Sequence, residues 1–327
     1  MPALNLNTGL SIFWAAAWFT RAAEEGISGA QYHCGVMYEN GSGVKRDLAA
    51  AARWFEAAAN QGHAEAAFNL ALLYHHGRGV ENSPMRAAHF YTIAADRGHV
   101  QATFNLALMY HQGHGMMRDA VKAAALYRIA ALQGFVNAQF NLALMLHQGD
   151  GAVPDLQEAA HFYRRAAESG HVTAQFILGT MYANGEGIDI DHIESVRWFT
   201  RAAEQGHMKA QYQLALKLVR GEGTAKNPAA AATWLGKSAD QGYVKAVYSL
   251  GQLFRQGDSI PVNPQFAIEC FLRAAETGHV ESQYCLGTMY AAGEGVERNL
   301  SEASRWYARA AKQGHQKALQ NLSTLHE

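Results

Sequence analysis

The chain has 327 residues, 49% of them hydrophobic and 17% charged, which is ample material for an ordered core and excludes a disordered chain. Lys plus Arg number 27 and Asp plus Glu 28, with no run of like charge, so there is no basic face of the kind that neutralises nucleic-acid phosphates. Three cysteines, Cys34, Cys270 and Cys285, stand at unrelated positions; an odd count argues against a disulfide framework and fits a reducing compartment.

The first apolar stretch is Ile12–Ala23 (IFWAAAWFTRAA). No Lys or Arg precedes it, Arg21 lies within it, and it is too short to span a bilayer, so it reads as a helix and not as a targeting signal. It matches the second helix of the repeat that follows, with Ser11 at the cap and Trp18 and Phe19 at the bulky positions. Residues 1–29 therefore form a lone second helix; a shortened gene, a misplaced start or a true cap would each produce it.

From residue 30 onward a 36-residue period takes over. Ala30, Ala66, Ala102, Ala138, Ala174, Ala210, Ala246, Ser282 and Ala318 mark its first position. They bound eight full repeats, 30–65, 66–101, 102–137, 138–173, 174–209, 210–245, 246–281 and 282–317, inside a single repeat domain spanning 1–327. Position 3 is always aromatic, from Tyr32 to Tyr284, position 5 is Leu in all repeats but the first (Cys34), and position 6 is Gly or Ala. This three-and-four spacing is one face of a first helix. Gly at position 12, Gly41 through Gly293, ends that helix in the left-handed region. Position 18 is Asp47, Ser83, Asp119, Asp155, Asp191, Asn227, Asn263 or Asn299, all good N-caps for a second helix. Pro84, Pro228 and Pro264 follow three of the caps, and Glu158, Glu194 and Glu302 are placed to complete capping boxes. The second helix carries Ala at positions 22, 29 and 30 in most repeats, a large side chain at position 25 (Trp54 to Trp306, Cys270 excepted), and Gly at position 33. Residues 318–327 form a lone first helix, Ala318 to about His326. One such hairpin cannot bury both faces, so the repeats must stack. The expected fold is all-α, a solenoid of antiparallel helix hairpins.

The pattern resembles the Sel-one-like repeat (SLR) family, relatives of the tetratricopeptide repeats. The likeness is clearest in Ser282-Gln283-Tyr284-Cys285-Leu286-Gly287-Thr288-Met289-Tyr290, Gly293-Glu294-Gly295-Val296, Trp306-Tyr307, Ala310-Ala311 and Gln313-Gly314-His315. It implies a right-handed superhelix whose first helices line a concave surface, and adaptor or scaffold roles, mostly bacterial. Repeat 7 departs from it, with Ser259 at the second loop glycine and with Pro261 and Pro264; repeat 3 has Met116 and Met117 after its glycines.

Six histidines, His63, His99, His171, His207, His279 and His315, follow the closing glycine. Stacked helices hold equivalent side chains about 8–10 Å apart, too far to share an ion, so these read as turn residues whose rings hydrogen-bond a helix end. The recurring G-x-G loops close helices and do not follow strands, which is not the setting of a phosphate cradle. The acidic stretch Asp189–Glu194 lacks calcium-loop spacing. No metalloprotease, nucleophile-elbow or paired-cysteine zinc motif occurs, and neither a cofactor nor a catalytic group is expected. Cys270 and Cys285 fall on helices expected to be neighbours, which leaves a redox link between them open.

Repeats 2 to 4 share the strings FNLALLYHHG, FNLALMYHQG and FNLALMLHQG. Position 4 is Asn69, Asn105 and Asn141; position 10 is His75, His111 and His147; position 11 is His76, Gln112 and Gln148. Positions 4, 7 and 11 share one helical face. By resemblance to tetratricopeptide clamps, Asn at position 4 faces the concave groove and can bond an extended backbone with both donor and acceptor. One reading makes these nine residues a strip that binds a partner protein or peptide; the other has the Asn side chains held by the adjacent helix after repeat duplication. At the level of the whole chain, an interaction scaffold stands against a hydrolase of the cysteine-rich repeat type and against a self-assembling spacer. The expected location is the cytoplasm, or the periplasm or exterior if the N-terminus is truncated.

Overall fold

The computed structural model describes residues 6–257 and 260–325. Among them are eighteen α-helices and no strand. The lone helix α1 (Leu6–Glu24) is followed by eight helix pairs. The first helices are α2 (Ser28–Asn40), α4 (Ala64–His76), α6 (Val100–Gln112), α8 (Val136–Gln148), α10 (Val172–Asn184), α12 (Met208–Arg220), α14 (Val244–Gln256) and α16 (Val280–Ala292). The second helices are α3 (Leu48–Asn60), α5 (Pro84–Asp96), α7 (Ala120–Leu132), α9 (Leu156–Glu168), α11 (His192–Glu204), α13 (Pro228–Asp240), α15 (Pro264–Glu276) and α17 (Leu300–Lys312), and α18 (Gln316–Thr324) ends the series. The chain divides into two compact units, residues 1–166 and 167–327. In unit 1, α2 packs on α3, α4 on α5 and α6 on α7; in unit 2, α10 packs on α11, and so on to α16 on α17. First helices also touch within a unit, α2 with α4 and α16 with α18.

The helix ends follow from their residues. All eight position-12 glycines are left-handed, with φ between 64° and 76°. All eight position-18 side chains accept a hydrogen bond from an amide of the first helical turn, as Asp47 does from Ala49 and Ala50, both at 2.9 Å. The capping boxes expected at Glu158, Glu194 and Glu302 form only by half. The cap's own N–H is already donated to the position-9 carbonyl of the first helix: Asp155 to Leu146, Asp191 to Tyr182 and Asn299 to Tyr290, at 2.9–3.1 Å. The three glutamates pair instead with Arg128, Arg197 and Arg305. At the N-terminus α1 runs back through Ser11 to Leu6 and does not start at the expected cap, because residues 6–10 contain no G-x-G loop to end it. Ser259 and His326 lie outside the described residues.

Packing rests on close approach. Position 26, not position 25, supplies the deepest large side chain: Phe55, Tyr91, Tyr127, Tyr163, Phe199 and Phe271 are all 2% exposed or less, whereas Trp54, Leu126 and Trp234 at position 25 are half-buried. The position-26 ring lies directly on position 6 of its own first helix. A Cβ on Gly35, Gly179, Gly251 or Gly287 would come closer than 3.0 Å to Phe55, Phe199, Phe271 or Tyr307. The second loop glycine makes a similar approach to backbone in the previous repeat: Gly79 lies against Leu48, Gly115 against Pro84, Gly151 against Ala120, Gly223 against His192 and Gly295 against Pro264.

The six position-34 histidines are N-caps of first helices. His63, His99, His171, His207, His279 and His315 each accept, through Nδ1, the amide three residues on, at 3.1–3.3 Å. Several stack on the position-3 aromatic of their own repeat, with ring centroids 4.7 Å apart for His63 and Tyr32, 4.6 Å for His207 and Phe176, and 4.4 Å for His315 and Tyr284.

Two outcomes are expected. Gly287→Ala, which drives a methyl group into Tyr307, should lower stability by about 1–3 kcal/mol, while Gly236→Ala, mid-helix in α13 with open space around it, should raise it by about 0.5–1 kcal/mol; thermal unfolding of the two variants checks the contrast. The histidine caps set a pH dependence. Nδ1 accepts only while unprotonated, and burial holds His63, His171, His207 and His279 below the ordinary value of 6.5. Their contribution is complete above 6.5 and is lost as pH falls through the lowered values. The urea midpoint should therefore drop between about pH 7.5 and about pH 5.5, and the drop should shrink when His63 and His207 are replaced by Asn, a cap that does not titrate.

Candidate partner-binding face

The strip of repeats 2 to 4 lies wholly in unit 1, on α4, α6 and α8. Asn69, Asn105 and Asn141 are half-buried, as are Leu72, Leu108 and Leu144 at position 7, and His76, Gln112 and Gln148 are exposed at the helix ends. These three positions thus form one face per helix, open to solvent and free of formal charge apart from His76. The position-10 histidines do not share it. They turn toward the second helix, where His75, His111 and His147 meet Tyr91, Tyr127 and Tyr163 edge-on at ring distances of 6.1–6.3 Å.

Each of these tyrosines is fully buried, and burial pushes the Tyr91 hydroxyl up to about 12 and Tyr163 higher. Asn105 lies beside the Tyr91 hydroxyl and Asn141 beside that of Tyr127. Outside the strip the equivalent pair is hydrogen-bonded, Asn321 Nδ2 donating to Tyr307 Oη at 3.2 Å. Asn105 and Asn141 thus sit against the preceding second helix and are half-open to solvent, and the buried Tyr127 hydroxyl has no hydrogen-bond partner among the described residues. Asn69 follows Phe55 and has no hydroxyl beside it. The tyrosines went unnoticed in the sequence, although the pairing of Tyr at position 26 with Asn fourteen residues on, in Tyr91/Asn105, Tyr127/Asn141 and Tyr307/Asn321, is a legible signal.

The loop edge carries a second series. Position 10 of one repeat faces position 13, between the loop glycines, of the next. Glu39 faces Arg78 at 3.6 Å, His111 Nε2 faces Asp150 at 2.9 Å, and Arg255 faces Glu294 at 2.7 Å. Arg118 also grips both oxygens of Asp150, at 2.6 and 2.7 Å, and holds that carboxyl below the usual carboxylate range. His111 is thereby committed to the scaffold. His75 departs from the series, because its counterpart is His114, with ring centroids 5.5 Å apart.

A buried glutamine ladder also escaped sequence reading. Gln31, Gln175, Gln211 and Gln283, at position 2, donate to the position-30 carbonyl of the preceding second helix at 3.0–3.2 Å, and accept from Gln61, Gln205, Gln241 and Gln313 at 2.7–2.9 Å. Gln at both positions 2 and 32 of one repeat was the available clue.

Other candidate chemistry resolves into structure. Asp191 caps α11 and so is not free for an ion. Lys217, 8% exposed where most repeats carry Met, contacts Glu222 at 2.7 Å and His192 at 3.3 Å. All three cysteines are free and buried, and burial pushes their thiols up. Among the described residues no three His, Cys, Asp or Glu side chains converge on an ion position, and no helix is long and apolar enough to cross a membrane. A hollow of about 550 Å³ beside Ala16, Thr20, Glu24 and Val44, and another of about 470 Å³ beside Tyr74, Asn82 and Arg86, are both lined without strip residues.

The Sel1 repeat family model matches the chain nine times, over residues 15–27, 28–63, 64–99, 100–135, 136–171, 172–207, 209–243, 244–279 and 280–315. No curated protein matches. Among solved structures the chain is similar to c5321, described as a protective antigen present in uropathogenic Escherichia coli strains displaying an SLR fold. The identity is 33% and the TM-score 0.83, over 95% of this chain and 67% of that one. It is also similar to a Sel1 repeat protein from Oxalobacter formigenes, with 28% identity and a TM-score of 0.69, over 99% of this chain and 97% of that one.

Proposed function

This chain belongs to the Sel1 repeat family, and from that premise we propose that it is a non-catalytic scaffold that holds a partner protein on the first-helix face of unit 1. The observation that carries this reading is the threefold recurrence of one surface: half-buried Asn, half-buried Leu and an exposed His or Gln on α4, α6 and α8. The exposed amides offer donors and acceptors, the leucines offer apolar contact, and the face lacks the charge that would select an acidic or basic ligand. The partner is accordingly an extended, largely uncharged segment of another protein. The free thiols of Cys34, Cys270 and Cys285 support a reducing compartment such as the cytoplasm.

The test is capture of a partner from the native host, followed by affinity measurement. Asn105→Ala combined with Asn141→Ala should weaken binding about fivefold or more, two lost hydrogen bonds being about 1–3 kcal/mol, with helicity by circular dichroism unchanged. Asn321→Ala removes a position-4 asparagine outside the strip, bonded to Tyr307, and should leave affinity intact. Equal affinity for wild type and double variant would end the strip reading.

A further inference from the structure

The rung between repeats 2 and 3 differs in sign from its siblings. Three rungs of the loop edge join an acid to a base, Glu39 with Arg78, His111 with Asp150 and Arg255 with Glu294. The fourth joins two bases, His75 on α4 and His114 in the loop after α6. A third ring, His76, lies 4.9 Å from His75. We propose that this rung is an acid-sensitive joint, closed while its histidines are neutral and forced open when they are protonated.

The surroundings of His75 offer a proton no compensation. Its Nδ1 is buried and has no hydrogen-bond partner among the described residues. On its own helix it faces His76, on α5 it faces the edge of Tyr91, and from the next repeat's loop it faces His114. The carboxylates of the preceding repeat are engaged elsewhere, Glu39 on α2 with Arg78 and Glu56 on α3 with Arg86 at 3.1 Å. The carbonyl of His75 is held by Asn82 Nδ2 at 2.6 Å, so the residue cannot simply swing its backbone away. Burial first, then His76 and His114, holds His75 below the ordinary imidazole value. A lowered value means that the closed joint is fully stable above about 6.5 and weakens as pH falls below it. By contrast, His111 has the carboxylate of Asp150 opposite it at 2.9 Å. Among the rungs of the loop edge in unit 1, the acid-sensitive one is therefore that of His75 and His114. Because His75 and His76 border the strip, acidification should also release a bound segment; that consequence rests on the function proposed above, whereas the joint itself does not.

The sibling rung supplies the test. His114→Asp installs the partner that His111 already has, at an exposed position between two loop glycines where repeat 4 itself carries Asp150. Hydrogen exchange of the full chain, read by mass spectrometry at about pH 7.5 and about pH 5.5 and corrected for intrinsic rates, should show wild type losing protection at the end of α4 and across residues 113–118. The loss should exceed that of His114→Asp by about fivefold or more, the effect of two like charges at this separation near a surface. The caps His63 and His99 are the same in both proteins, so the difference reports the rung alone. His75→Gln, which removes the charge from the other side, should also remove that excess loss. Equal acid-induced loss in wild type and both variants, or none in wild type, would overturn the proposal. If the joint opens but partner affinity does not change with pH, the hinge stands and the strip reading is the part that fails.

Discussion

The structure depends on backbone approaching backbone where repeats meet. The second loop glycine of one repeat rests against the first residue of the previous repeat's second helix, as Gly115 does on Pro84 and Gly151 on Ala120. A side chain at that glycine would hold the loop away, and the position-10 to position-13 rungs alongside it would no longer meet. The same logic operates inside each hairpin, where Gly or Ala at position 6 lets a buried aromatic ring lie flat on the first helix. Small residues thus set the distances, and large ones fill what those distances leave.

Polar groups are then satisfied by a division of labour. Position-18 side chains cap second helices, position-34 imidazoles cap first helices, and left-handed glycines end the first helices. Side chains at position 17 add to this: Arg46, Asn82, Arg118 and Arg298 donate to the position-10 carbonyls Glu39, His75, His111 and Ala291. Three first helices, α2, α8 and α14, begin at Ile27, Phe135 and Tyr243 and lack a side-chain cap, while the exposed positions of α4, α6 and α8 remain open to solvent.

Much of this was legible in the sequence because it repeats. A glycine recurring eight times at one spacing, followed six residues later by Asp, Ser or Asn, admits few conformations, and the loops and caps follow from it. What escaped was whatever depends on a partner residue far along the chain. The deeper burial of position 26 over position 25 is set by helix rotation against position 6, and both positions look equally bulky in Trp54-Phe55. The capping boxes failed because Tyr182 and Tyr290 had already claimed the cap amides. The asparagine strip was visible as a motif, but its placement beside Tyr91 and Tyr127 required knowing that position 26 of one repeat lies beside position 4 of the next.

The glutamine ladder has a mechanical consequence. Where Gln31 and Gln211 stand, a buried amide ties a first helix to the end of the second helix before it, across the direction in which repeats succeed one another. Repeats 2, 3 and 7 carry Ala67, Thr103 and Val247 at that place and lack the tie. Under tension applied along either unit these are the compliant links, so elasticity is distributed unevenly along the repeats and extension begins where an amide is replaced by a methyl or hydroxyl group.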